Sequence, residues 1–413
     1  MRSDAVVLGA GIVGVSVALH LQARGRSVVL VDRKGVAEET SHGNAGLIER
    51  ASVIPYSFPR DLPSLIRYGL NGQLDARYHL GFLPRIAGWL FQYWRHSSPK
   101  RLNEAAAAML PLIERCVIEH EVLTQQAGTG GFVSRRGWID GYRTEAGLQA
   151  AIREAEGLGA YGLSWQHLDR AALKSLEPDV TEAIVGAIHW RDPASVSDPG
   201  GVAKGYAALF VERGGRIVKG DARTLAQSGS DWTVEVEEGL LTARDAVVAL
   251  GPWSNDVLKG FGYRIPLAVK RGYHMHYAPA PGKRLNHTLL DAERGYVLAP
   301  MQRGIRLTTG VEFADRDAPP TPVQLDRSEP VAREIFPIAE RLDPEPWLGR
   351  RPAIPDMRPV IGAAPRHRGL WMAFGHAHHG FTLGPVTGRL LAELITGEDP
   401  IVDPTPYSPA RFR

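Results

Sequence analysis

Residues 4–32 read DAVVLGAGIVGVSVALHLQARGRSVVLVD, which is an apolar strand, a glycine turn, a helix, a second strand and an acid. Gly9, Gly11 and Gly14 set G-x-G-x-x-G between a strand at 5–8 and a helix beginning near Ile12. Asp32 closes the second strand, 27–31. Each residue type has a physical reason to stand where it does. Gly9 permits the tight turn, and Gly11 lets backbone N–H groups approach a pyrophosphate at a helix N-terminus. Gly14 lets helix and strand pack closely, and Asp32 is placed for a ribose hydroxyl. The unit predicts a site for an adenine dinucleotide without saying which one.

The chain has 413 residues, enough for two domains, and its 44% hydrophobic and 23% charged content is that of an ordinary globular protein. A net charge of +3 with scattered arginines gives no electrostatic case for a nucleic-acid partner. One cysteine, Cys116, excludes an intramolecular disulfide and a cysteine-rich zinc site, and fits a reducing compartment. The apolar stretch 5–19 carries Asp4 before it and fingerprint glycines within it. It reads as a fold element rather than a signal peptide, and the expected location is cytoplasmic.

Along the chain, a helical region is expected at 63–127, interrupted by Pro84, Pro99 and Pro111, and a hairpin at 131–142 turning at Gly137. Alternating stretches from 265 to 311 predict an antiparallel sheet, and a helix is expected at 328–342. The opening unit, the strand ending at Leu250 and the last strand, loop and helix read as parts of one nucleotide-binding layer, with the antiparallel sheet inserted between them. Three further blocks have local readings. The small residues of TSHGNAG (40–46) suit a backbone passing close to a planar ring, or a surface turn. VVALGPWS (247–254) is a buried strand leaving its sheet through Gly251. Residues 380–385 open the final helix, whose N-terminus would favour nearby negative charge or simply cap a docked helix.

These blocks, with GRRPAIPDMRPVIG (349–362) and GHAHHGFTLGPVTG (375–388), resemble the FAD-dependent amine and amino-acid oxidoreductases. That family includes glycine oxidase, sarcosine oxidase and bacterial D-amino acid dehydrogenase, and the resemblance is strongest to the dehydrogenase branch. It implies a mixed α/β and α+β chain, in which a Rossmann-like FAD-binding domain of the glutathione-reductase type (1–60, 143–262 and 350–413) interleaves with an antiparallel-sheet substrate domain (61–142 and 263–349). It implies FAD held by Gly9, Gly11, Gly14, Asp32, Arg33, Ser41, His42, Asn44, Ala45, Gly46, Gly251, Gly380, Phe381, Thr382 and Leu383.

For the substrate, Arg351 resembles the arginine that forks to a carboxylate in glycine oxidase, a contact suited to a planar guanidinium. Tyr296 resembles the tyrosine that adds a hydrogen bond to the same group, and its alternative is a cross-strand aromatic. His378 falls where glycine oxidase has a second arginine. His376, His378 and His379 tempt a metal reading, but no carboxylate or cysteine is near in sequence, so no metal is expected. His42 raises covalent FAD attachment as an alternative, since some relatives tether flavin through such a histidine.

The implied reaction is oxidation of the Cα–N bond of a D-amino acid, cyclic ones such as proline or hydroxyproline types included. Hydride would pass to flavin N5, the imine would hydrolyse, and electrons would go to a quinone or other carrier. The alternatives are a glycine or sarcosine oxidase making peroxide, an NAD-linked dehydrogenase and a non-catalytic flavin-binding subunit. The aromatic and basic segment 81–95 adds weak peripheral contact with the inner membrane face as an expectation, against the reading of a buried face with snorkelling arginines.

Overall fold

Strands buried on both faces read as unbroken apolar runs, and AVVL (5–8), VVLV (28–31) and AVV (246–248) are such runs. In the computed structural model, which describes residues 1–412, they form the centre of the first sheet. Strand Arg216–Lys219 pairs in parallel with Val28–Asp32, which pairs with Arg2–Leu8, which pairs with Gly239–Val248. Leu370–Phe374 runs parallel beside the C-terminal end of Gly239–Val248, and Asp231–Val236 pairs antiparallel with its N-terminal half. Three distant chain segments thus share one layer, as the sequence predicts.

One face of this sheet carries the helices Ile12–Ala23, Pro199–Glu212, Gly384–Thr396 and Pro99–Gln126. The final helix lies tight on the first because residue 388 is glycine: a Cβ there would stand 2.5 Å from the Ser16 carbonyl carbon. Pro111 does not interrupt the chain as expected but sits inside Pro99–Gln126. An internal proline costs about 3 kcal/mol. Burial of Met109, Leu112, Ile113 and Cys116 in the same core offsets it. Pro84 and Pro99 instead occupy first turns, where the missing N–H costs nothing.

The second sheet has eleven strands, with Ala268–Pro279 at its centre. That strand pairs antiparallel with Gly304–Thr308 on one side and with Trp347–Ala353 on the other. Alternation along it sends Tyr273, Met275 and Tyr277 into a core shared with helix Val323–Ile335, while Lys270 and Gly272 face a cavity. The expected helix at 328–342 ends at Ile335, and Ile338–Arg341 is a strand of this sheet. The expected hairpin at 131–142 is also corrected. Val133–Ser134 pairs with Ala194–Val196 in a small third sheet, and Trp138–Tyr142 pairs with Gly186–Trp190 in the second.

Sheet membership departs from the expected segment boundaries at several places, residues 350–353 of the expected nucleotide-binding segment among them, which pair in the second sheet. Trp165–Leu168 and Gly186–Trp190, inside the segment assigned to the nucleotide-binding unit, belong to the second sheet. Helix Pro99–Gln126, inside the segment assigned to the substrate unit, packs on the first. Amphipathic periodicity shows that a face is buried, not which sheet buries it.

Candidate active site

The glycine turn holds its shape through close backbone contacts. Gly9 has φ +106°, and a Cβ there would lie 2.5 Å from the Ala249 carbonyl oxygen. A Cβ at Gly14 would lie 1.9 Å from the carbonyl oxygen of Gly9. Asp32 ties this turn to the next: Oδ2 accepts from Ala10 N–H (2.8 Å), and Oδ1 from Lys34 N–H (2.8 Å) and Gly35 N–H (3.0 Å). Ser41 Oγ accepts from Ile12 N–H (3.0 Å) at the helix start. The Arg33 guanidinium lies 4.8 Å over the Trp253 ring.

Gly9, Ile12, Asp32, Arg33, Gly35, Ser41, Ala249 and Trp253 line one cavity of about 820 Å³. It continues past Gly43, Asn44, Ala45 and Phe381 to the face of the second sheet. The ring that the structure sets against the TSHGNAG loop is an indole. A Cβ at Gly43 would stand 1.8 Å from Trp347, which stacks on His274 at 4.8 Å.

At the far end Arg351 projects into the cavity. Its guanidinium donates to the carbonyls of Gly310 (2.9 Å) and Thr309 (3.4 Å), and among the described residues no carboxylate pairs with it. Around it stand four groups to which the sequence reading assigned no role. Glu49 is buried, accepts from Ser52 Oγ (2.9 Å), and has its carboxyl pushed up to about 7 by burial. Lys270 lies opposite Arg351 across the strand pair, and burial together with the Arg351 charge brings its ammonium down to about 7. Tyr56 packs against the His378 ring at 4.9 Å. Buried His379 has no hydrogen-bond partner for Nε2 among the described residues, and burial holds it at about 4. His378 is likewise held well below its ordinary value by burial.

Of the residues expected from sequence, the cavity brings together Gly9, Gly11, Asp32, Arg33, Ser41, Asn44, Ala45, Gly251, Gly380, Phe381, Arg351 and His378. Six others stand elsewhere. Gly14 and Leu383 serve packing, and Gly46 (φ +76°) packs beneath the loop against the Val196 carbonyl. Thr382 Oγ1 accepts from Glu49 N–H (3.1 Å), behind the cavity wall. His42 does not line the cavity; its Nδ1 lies 2.9 Å from where a Cβ at Gly200 would stand. Tyr296 is wholly buried in the opposite core, where Arg143 donates to its hydroxyl and the hydroxyl donates to the Val331 carbonyl (both 3.2 Å). Its neighbour Val297 faces the cavity instead, because successive strand residues point to opposite faces.

A carboxylate does stand beside the histidines in the fold, contrary to the expectation from sequence. Glu49 comes within 3.9 Å of His378 Nε2 and 3.8 Å of His379 Nε2, although it is far away in sequence. Lys270 and Arg351 act on the same histidine, and two cations on one wall oppose a third. Cys116 is buried in the helical core, away from the cavity.

A largely parallel nucleotide-binding sheet, a glycine turn at the C-terminal end of its central strand and a cavity running from that turn to an arginine that pairs with no carboxylate among the described residues define a dinucleotide-dependent enzyme. The chain belongs to the FAD dependent oxidoreductase family, whose pattern it matches over residues 4–394. It is 29% identical to a D-amino-acid oxidase of Bradyrhizobium diazoefficiens over 98% of both chains. It is 30% identical to a D-amino acid dehydrogenase of Xylella fastidiosa, over 94% of this chain and 91% of that one. Its fold matches that of glycine oxidase from Geobacillus kaustophilus with a TM-score of 0.75, at 21% identity and 98% coverage of both. The cofactor is FAD, and the residues present fit it. The Gly9 turn leaves space only for backbone, and the cavity extends from there without a break to the second sheet. Among the described residues no helix is long and apolar enough to cross a membrane.

Proposed function

We propose that the chain oxidises the Cα–N bond of a D-amino acid to an imine, which hydrolyses to a 2-oxo acid unless it is cyclic. The observation that carries this reading is Arg351, a guanidinium aimed into the flavin cavity with only carbonyl partners. FAD supplies the two-electron oxidant; the chain's residues do the rest. Arg351 binds the α-carboxylate through two N–H donors. Glu49, the carboxylate that acts on Arg351 across the pocket, faces the substrate ammonium and takes its proton, so that the amine reacts neutral. His378 stays neutral and lines the wall. Gly9, Gly11, Asp32, Arg33, Ser41, Asn44, Ala45, Gly251, Gly380 and Phe381 hold the cofactor. The two sheets, rather than the segment ends, mark the cofactor-holding and substrate-holding units.

The test is anaerobic bleaching of the bound flavin against D- and L-amino acids and N-methyl amines. Reduction by D-amino acids supports the reading, and failure of every amino acid to bleach the flavin favours a non-catalytic flavin-binding subunit. Peroxide yield against dye reduction separates an oxidase from a dehydrogenase.

The electron acceptor in this proposal is a quinone or other carrier reached at a lipid surface. One feature supports it. Helix Leu62–Gly69 buries none of its residues, and Leu62, Ile66 and the following Leu70 are 68%, 58% and 78% exposed beside the cavity mouth. In the segment 81–95, also expected for this role, Trp89 and Tyr93 turn inward while Phe91 is 58% exposed. Liposome flotation with anionic vesicles that leaves the protein wholly in the soluble fraction would count against a lipid surface.

A further inference from the structure

Lys270 and Arg351 are direct partners in the antiparallel pairing, so both side chains leave the same face of the sheet and enter the same cavity. The Lys270 ammonium stands 4.1 Å from the ring centre of Tyr93, 5.7 Å from that of Trp89 and 6.0 Å from that of Phe313. Two rings come from helix Leu83–His96 and the third from strand Val311–Phe313. Aromatic faces hold an ammonium in place, yet they do not neutralise it. Among the described residues no carboxylate or carbonyl pairs with it, and its nearest charged influence is another cation. Arg351 acts against it, while the Glu49 carboxylate acts on Arg351. A half-buried lysine beside an arginine, without an acid of its own, is poorly compensated until an anion arrives.

We propose that Lys270 is a second anion anchor, so that the pocket takes an amino acid carrying a second carboxylate, with Arg351 on the α-carboxylate and Lys270 on the distal one. The inference rests on the proposed oxidation of an amino acid. It adds to it the substrate class: amino dicarboxylates rather than neutral or cyclic monocarboxylates. The box of Tyr93, Trp89 and Phe313 fixes where the distal group must end, and Glu49 lies toward the other carboxylate. The lowered Lys270 ammonium agrees with this arrangement, because a bound carboxylate would restore its charge.

The experiment uses the FAD-loaded protein, its Lys270→Met and Lys270→Arg variants, and two readouts. In anaerobic flavin reduction, D-aspartate, D-glutamate and iminodiacetate are compared with D-alanine and D-norvaline. Independently of turnover, succinate and butyrate are titrated against the flavin visible spectrum. The expected result is a diacid preference in both readouts. Lys270→Met raises the diacid KM by roughly 30-fold or more relative to the monoacid KM, with kcat little changed. Lys270→Arg retains most of the preference. Equal handling of diacids and monoacids by the unaltered protein overturns the proposal, whether or not the variants fold. So does a Lys270→Met variant that loses kcat on every substrate alike, since that marks a proton acceptor rather than an anchor. Succinate preference that depends on Lys270, together with no flavin reduction by any amino acid, keeps the anchor and removes the oxidation.

Discussion

Gly272 lies beneath the guanidinium of Arg351, where a Cβ would stand 2.7 Å from Nη1 and 2.8 Å from Nη2. The two residues are diagonal neighbours on adjacent strands, and glycine lets the arginine lie flat across the sheet to reach the Gly310 and Thr309 carbonyls. Gly272→Ala must therefore lift the guanidinium away from these acceptors. A displacement of about 1 Å at a positioning group costs on the order of 100-fold in rate. The expected outcome is a loss of that size in kcat/KM, seen in steady-state kinetics, with a melting temperature lowered by no more than a few degrees, since the flexible arginine end takes up the clash.

Tyr296 offers the opposite case. Its hydroxyl bonds to Arg143 and the Val331 carbonyl in the core behind the sheet, so Tyr296→Phe removes hydrogen bonds and touches no substrate. The expected cost is about 1 kcal/mol of stability, read in denaturant unfolding. The expected kcat/KM stays within roughly threefold of the parent, because Val297 is the neighbour that faces the cavity. A hundredfold loss of kcat/KM would put the tyrosine back at the carboxylate.

The contrast between Gly9 and Tyr296 shows what a sequence can carry. Gly9, Gly14 and Asp32 act through backbone within a few dozen residues, so their spacing alone specifies strand, turn and helix. Arg351 is legible as a cavity residue because its block is distinctive. Tyr296 was misplaced because strand register is decided by which face the rest of the sheet buries, and one residue of slip reverses a side chain. Lys270 and Glu49 were passed over for another reason. Neither lies in a glycine-rich block, and each gains its meaning from a partner in a distant segment: Arg351 across the strands, and the histidines at 378 and 379. Pro111 likewise reads as a break until the core that buries its helix is known.

His42 carries a prediction about the cofactor linkage. The ring packs on Gly200, whose Cβ would lie 2.9 Å from Nδ1, and burial with Arg306 and Lys204 nearby lowers its proton affinity. It does not line the cavity, so the expected outcome is noncovalent FAD. Acid precipitation should release all of the yellow chromophore into the supernatant, and a denaturing gel should show no flavin fluorescence on the chain. His42→Ala should bind FAD to the same stoichiometry.

Glu49 ties stability to activity through one carboxyl. Burial raises it from 4.5 to about 7, against the smaller lowering effects of Ser52 and Arg351. Tyr56, His378 and His379 share its surroundings. A raised acid binds its proton more tightly folded than unfolded, so the stability it allows is present below pH ~4.5 and is lost as pH rises toward 7. The difference in pKa corresponds to about 3 kcal/mol at most. Glu49→Gln keeps the shape and cannot ionise. Its advantage in thermal unfolding should therefore be small near pH 5 and reach its full size above pH 8. Activity should move the other way. If Glu49 accepts the ammonium proton, kcat/KM of the parent rises with pH through about 7, and Glu49→Gln flattens that limb while losing roughly 10- to 100-fold. A variant that gains stability at high pH yet keeps the parent pH–rate profile would leave Glu49 a buried structural acid and assign the proton to water.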